Sequence, residues 1–153
     1  MKVKNIITVC VLLYGTILLS QSVVFTQTGT PLTITDIAST PGSGDREVIT
    51  MMVQNVSTKA IEAYGIIATR TNDSGKQLST KTHLTLLSAA RKDNVLEPNG
   101  TMQNKLKGPA GTGGHIELSL DYVLFENGEK WGPDKMKFAE AVTQLRTGAA
   151  VQK

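Results

Sequence analysis

The two histidines, His83 and His115, stand 32 positions apart and are the only imidazoles in the chain. Imidazole exchanges protons near neutral pH and is the commonest zinc ligand. Neither histidine has a second His or Cys at the short spacing that organises a zinc site, so both read as ordinary exposed side chains. Four carboxylates, Asp121, Glu126, Glu129 and Asp134, crowd one short stretch and could hold calcium through their oxygens. The EF-hand spacing is absent, and Lys130 and Lys135 are interleaved among them, the pattern of solvated charge pairs. The glycine-rich GPAGTGG at 108–114 could cradle a phosphate. A phosphate loop wants a strand before it, a helix after it and usually a lysine. Here a strong strand follows, so the segment reads as a flexible hairpin connection. No G-x-S-x-G elbow occurs. The sequence therefore predicts no catalytic, cofactor-binding or metal-ligating residue and no cofactor. A hydrolase-type enzyme would have to assemble its groups in space from scattered residues.

These residues belong to a chain of 153 residues with 40% apolar side chains, enough for one domain with a core. The formal charge is +3, and two of the basic residues, Lys2 and Lys4, lie at the very start. Without them 14 of the 16 basic side chains stand against 13 acidic ones, a balance of +1. So neutral a body carries no electrostatic footprint for nucleic acid.

Lys2 and Lys4 precede IITVCVLLYGTILL at 6–19, an uncharged run. A short basic region followed by an apolar run is the pattern of a secretory signal peptide. Ser20 and Ser22 place small residues at −3 and −1, which predicts cleavage after Ser22, within a few residues. The rival is an uncleaved membrane anchor, for which 5–25 supplies about 20 residues. Ser20, Gln21 and Ser22 interrupt the apolar run before that length. Cys10, the only cysteine, lies inside the run and leaves with the leader. Val9 precedes it and the run continues, so it does not read as a lipid-attachment site. A mature chain without cysteine has no disulfide, which suits a bacterial envelope or secreted protein. Asn-x-Ser/Thr triplets at Asn55, Asn72 and Asn99 read as polar turns.

The elements that must position these residues follow from periodicity. Residues 23–31 read as an extended linker. Two-residue alternation marks strands at 32–37, 47–56 and 61–71, and a weaker, threonine-rich edge at 76–87, where a helix over 84–91 is the rival. Asn72 to Gly75 is a hairpin turn, and 97–100 is a turn into a strand at 101–106. The clearest strand is HIELSLDYVLF at 115–125. Ile116, Leu118, Leu120, Tyr122 and Leu124 are assigned to one face. Glu117, Ser119 and Asp121 fall on the other, joined by Val123 and Phe125, so the far end of that second face is expected to be covered. Asn127-Gly128 predicts a two-residue type I′ turn, with Glu129 to Trp131 returning beside Phe125. The only tryptophan, Trp131, would then cover Phe125 or Val123 and close one end of the core. Gly132 stops the strand, Pro133 opens a helical turn and Asp134 sits at the positive end of the helix dipole. A helix over 134–145 would lay Phe138, Val142 and Leu145, flanked by Met136 and Ala139, on its own sheet. Gly148 reads as its stop and 148–153 as a disordered tail.

About seven short strands with turn signals every 8–12 residues predict an all-β antiparallel sandwich with a C-terminal helix. The organisation is a signal peptide or apolar helix at 1–22, a linker at 23–31, the sandwich at 32–132 and the helix at 133–147. VQNVS at 53–57, KAIEAY at 59–64, the DSG hairpin and LEPNGT at 96–101 resemble small immunoglobulin-like modules of bacterial envelope proteins. The likeness spans 32–131, with one residue inserted in the module's L-x-P-G turn. DYVLFENGEKWGPDK at 121–135 is similar to the tail of uncharacterised secreted bacterial proteins. The resemblance implies an immunoglobulin-like fold and transfers no active-site residue. Tyr122, Phe125, Trp131 and Phe138 are expected to be structural. The short return strand at Glu129, Lys130 and Trp131 would leave an edge where a partner's strand could add. The expected role is non-enzymatic binding or structural work in the periplasm, cell envelope or medium. Its expected partner is an envelope protein, with the membrane met only through an uncleaved N-terminal segment.

Overall fold

The computed structural model of the protein describes residues 22–87 and 94–151, the last three by backbone alone. The leader, Cys10 and most of the rival helix at 84–91 fall outside these residues. Its elements are β1 (Val23–Phe25), β2 (Leu32–Pro41), β3 (Glu47–Asn55), β4 (Ile61–Thr71), β5 (Gln77–Leu86), β6 (Thr101–Lys107), β7 (His115–Phe125), β8 (Lys130–Trp131) and α1 (Phe138–Val151). Residues 84–86 of the rival helix belong to β5.

The larger sheet runs β1-β7-β4-β5, with β8 also paired to β7, and the smaller runs β2-β3-β6. The two sheets share one core. Ile49, Met51, Val53 and Leu106 from the smaller sheet meet Ile66, Ala68, Ile116 and Leu118 from the larger. Alternation explains this packing, because odd positions of β3 and even positions of β4 point inward. The expectation of an all-β body with two sheets holds. Antiparallel pairing throughout does not: β1 lies parallel to β7, Val23 beside Ile116 and Phe25 beside Leu118. The linker reading of 23–31 missed this strand because three residues are too few to show a period.

Two β-bulges set the faces of the larger sheet. The pairing of β4 with β7 slips between Ile61 and Ala63 and again between Gly65 and Ile66, leaving Asp121 as an extra residue on β7. An extra residue shifts the alternation by one. Ile116, Leu118 and Leu120 therefore face the inter-sheet core, as do Val123 and Phe125 beyond the bulge. Tyr122 and Leu124 turn to the outer face, where they join Ala63, Phe138 and Val142. The single-face assignment of Ile116 to Leu124 is thus corrected.

α1 covers that outer face. The Tyr122 and Phe138 rings stack at 6.4 Å between centroids and 29° between planes. Gly65 makes room for the ring, since a Cβ there would lie 2.3 Å from it. The helix starts at Phe138 rather than Asp134. Asp134 takes a left-handed φ of 50°, and its carboxylate accepts the amides of Phe138 at 2.6 Å and Ala139 at 3.3 Å. The aspartate thus caps the helix from outside. Leu145, expected on the buried stripe, is 53% exposed, because the sheet ends beneath it. Arg146, one residue on, forms an ion pair with Glu62 at the β4 bulge. The helix continues through Gly148 to Val151, so that glycine is no stop.

Two turns differ from expectation. After β7 only Gly128 has a positive φ, 84°, and its amide donates to the Phe125 carbonyl at 2.9 Å. A type I′ turn needs Asn127 left-handed as well. The chain instead makes a three-residue loop, closed by the Phe125 amide on the Glu129 carbonyl at 2.9 Å. In the turn before β6, the Gly100 amide donates to the Glu97 carbonyl at 2.8 Å. The glycine-rich segment at 108–114 is not a hairpin, since it links β6 of one sheet to β7 of the other.

Candidate functional site

The buried polar side chains among the described residues are Asn55, Arg70 and Asp121. Each is where a functional group would be sought, so each partner matters. Asn55 continues the inward face of Ile49, Met51 and Val53. Its amide nitrogen donates to the carbonyls of Lys59 and Leu96, both at 2.8 Å. Its side-chain oxygen accepts the Ser57 amide at 2.9 Å and hydroxyl at 2.7 Å. The Asn-Val-Ser triplet is therefore a buried clamp on two loops. Asn72 builds a similar turn at the surface, its oxygen accepting the Ser74 and Lys76 amides at 3.1 and 2.8 Å.

Arg70 is fully buried and continues the inward face of Tyr64, Ile66 and Ala68. It pairs with Glu47 at 2.8 Å and donates to the carbonyls of Gly113 at 3.0 Å and Pro109 at 3.4 Å. Asp45 accepts the Gly111 amide at 3.0 Å, and the Ser79 hydroxyl donates to the Ala110 carbonyl at 2.5 Å. The loop read as loose is thus pinned from three elements. Arg70 is bound through the loop's carbonyls, so it cannot present that loop to an anion.

At the β7 bulge the Asp121 carboxylate accepts the Met136 amide at 2.9 Å and its carbonyl accepts the Asp134 amide at 3.0 Å. Glu129 is ion-paired with Lys59, which holds its carboxyl below the usual range. Lys59 also lies 5.7 Å from the centre of the Phe125 ring. Asp121, Asp134 and Glu129, three of the four carboxylates considered for calcium, are engaged separately. Among the described residues no three His, Cys, Asp or Glu side chains are grouped to hold a metal.

The histidines do not share a site. His115 on β7 bonds the Thr71 hydroxyl at 2.9 Å. His83 on β5 bonds the Lys107 carbonyl at 2.8 Å, so its Nε2 carries the proton. Both are half-buried rather than exposed. Burial pushes His83 below its ordinary value, Lys81 adds to the shift, and the carbonyl bond opposes it. Beside it, the Asn104 amide donates to the Tyr64 hydroxyl at 2.8 Å and to Thr85 at 3.2 Å. These contacts join the sheets along a polar seam. Burial raises the Tyr64 pKa, which the bonds from Thr85 and Asn104 partly offset.

The edge of β7 facing away from β4 is closed piecewise. β1 pairs at Ile116–Leu118, and the Ile116 amide donates to the Ser22 carbonyl at 3.0 Å. The Gln27 side chain then imitates a strand, accepting the Leu120 amide at 2.5 Å and donating to its carbonyl at 3.2 Å. β8 pairs at Val123 and Leu124. Glu129, Lys130 and Trp131 lie at this outer margin, with Trp131 half-buried against the inter-sheet core. Sequence reasoning missed Arg70, Gln27 and the inward role of Asn55. For Arg70 and Asn55 the signal was strand parity; for Gln27, outside any strand, there was none.

No family model matches the chain, and no curated protein does. Among solved structures it is similar to a hypothetical protein of Peptoclostridium difficile 630, at 12% identity and a TM-score of 0.48, over 75% of this chain and 92% of that one. A Bordetella pertussis protein named provisionally as ApaA matches at 16% identity and 0.46, over 65% and 84%. A structural-genomics target matches at 15% and 0.43, over 69% and 81%. These likenesses are too distant to bear on function.

Proposed function

We propose that the protein is an exported, non-enzymatic immunoglobulin-like module that binds an envelope protein or forms a structural part of the bacterial envelope. The observation that supports a non-enzymatic role is the use made of Asn55, Arg70 and Asp121, all of which bond loop backbone. The strand order β2-β3-β6 against β5-β4-β7 supports the immunoglobulin-like assignment, with β8 as a cut-down last strand. The basic, then apolar N-terminus supports export. On this reading the outer margin at Glu129, Lys130 and Trp131 meets the partner. The anchored form would need Val23–Phe25 to complete a bilayer span, and their place in the sheet favours release.

The test expresses the full chain in a bacterium with a photo-crosslinking residue at Lys130 or, as a control, at Lys105 on the smaller sheet. The expected result is an exported chain with an adduct at position 130 alone. Retention in the cytoplasm, or the same adducts from both positions, would sink the reading.

A further inference from the structure

From the pairing of β1 we infer that Ser22 belongs to the folded body, so the leader is cut upstream of it and not at the Ser22–Val23 bond. This rests on the export reading and deepens it. Small-residue spacing nominates Ser22–Val23, but β1 begins at Val23 with no residue to spare. The Ile116 amide, on a fully buried residue, donates to the Ser22 carbonyl. Cleavage after Ser22 removes that acceptor and puts the ammonium of a new N-terminus at Val23 in its place. A donor would then face a donor, and a buried amide would lose its partner. Val23 and Phe25 also pack against the inter-sheet core, so the strand cannot peel away without exposing apolar surface.

The same placement limits the apolar run. With Val23–Phe25 in the sheet, the run ends at Leu19 and would span only ~21 Å as a helix, against ~30 Å for a bilayer interior. That is the length of a cleavable leader. Ser20–Gln21 is the nearest upstream bond preceded by a small residue. Its hydrolysis by the host's leader peptidase consumes one water, leaving a carboxylate on Ser20 and an ammonium on Gln21.

The experiment expresses the full chain with its own N-terminus, separates cell fractions, reads the first residue by mass spectrometry and follows hydrogen exchange at the Ile116 amide. The expected exported chain begins at Gln21 or earlier, and Ile116 exchanges as slowly as Leu118. Ser22→Phe, which blocks cleavage after position 22, leaves the mature N-terminus unchanged. An exported chain beginning at Val23 or later overturns the inference. A chain left in the cytoplasm with Met1 intact sinks the export reading instead. In that chain Ile116 exchange decides alone, with slow exchange supporting the Ser22 contact and exchange at solvent-exposed rates overturning it.

Discussion

The two halves of β7 keep the same two-residue alternation in opposite phase. Before Asp121 the even positions face the other sheet; after it the odd positions do. The first half has one covered face and one bearing Glu117 and Ser119. The second half is covered on both faces, by the core on one side and α1 on the other, so Tyr122, Val123, Leu124 and Phe125 form an unbroken apolar run. One inserted residue separates a strand that needs one partner layer from a strand that needs two.

Removing that residue is the strongest way to break the comparison. Deletion of Asp121 would put β7 in a single phase and drive Tyr122 and Leu124 into the inter-sheet core. The expected cost is about 5 kcal/mol or more, read as loss of cooperative urea unfolding. A deletion variant of near-native stability would show that the bulge does not set the faces. Next in size, Phe138→Ala empties the site over Gly65 and should cost about 3–5 kcal/mol, whereas Leu145→Ala on the same helix should stay within about 0.5 kcal/mol. Equal effects from the two would mean that α1 is not seated as described. Asp121→Ala keeps the bulge but orphans the Met136 amide, for an expected loss of about 1–3 kcal/mol. A loss as large as the deletion's would assign the effect to the carboxylate.

The smallest effect concerns the first half's neighbours. His83 has a folded pKa below its ordinary value near 6.5, so the unfolded chain takes up the proton first as pH falls. Its contribution is intact above about 6.5 and declines as pH drops from there toward the lowered folded value. Unfolding midpoints followed from about pH 7.5 to 5 should fall less steeply for His83→Gln than for the parent. Parallel slopes would remove His83 from the pH response.

Much of this body was legible. β4 and β7 coincide with alternating runs, and Gly75 takes the left-handed conformation its turn required, with φ of 80°. The apolar end of β7 correctly implied cover on its second face. What escaped reading depends on partners distant in sequence. The bulge at Asp121 follows from contacts with Asp134 and Met136, not from local propensity. The start of α1 was displaced because Asp134 serves as a cap rather than a first-turn residue. Of the candidate site, parity alone would have turned Arg70 and Asn55 inward. That reading loses because a polar residue at a strand's end is usually solvated.

The turn geometry has a consequence for chemical ageing. Asparagine before glycine is prone to deamidate, because the glycine nitrogen can swing round to attack the side-chain carbonyl. In both Asn-Gly steps here, at Gly100 and Gly128, that nitrogen is tied to a carbonyl three residues back. The reactive conformer requires the turn to open first, so the rate of damage at Asn99 and Asn127 is governed by the stability of the fold around them.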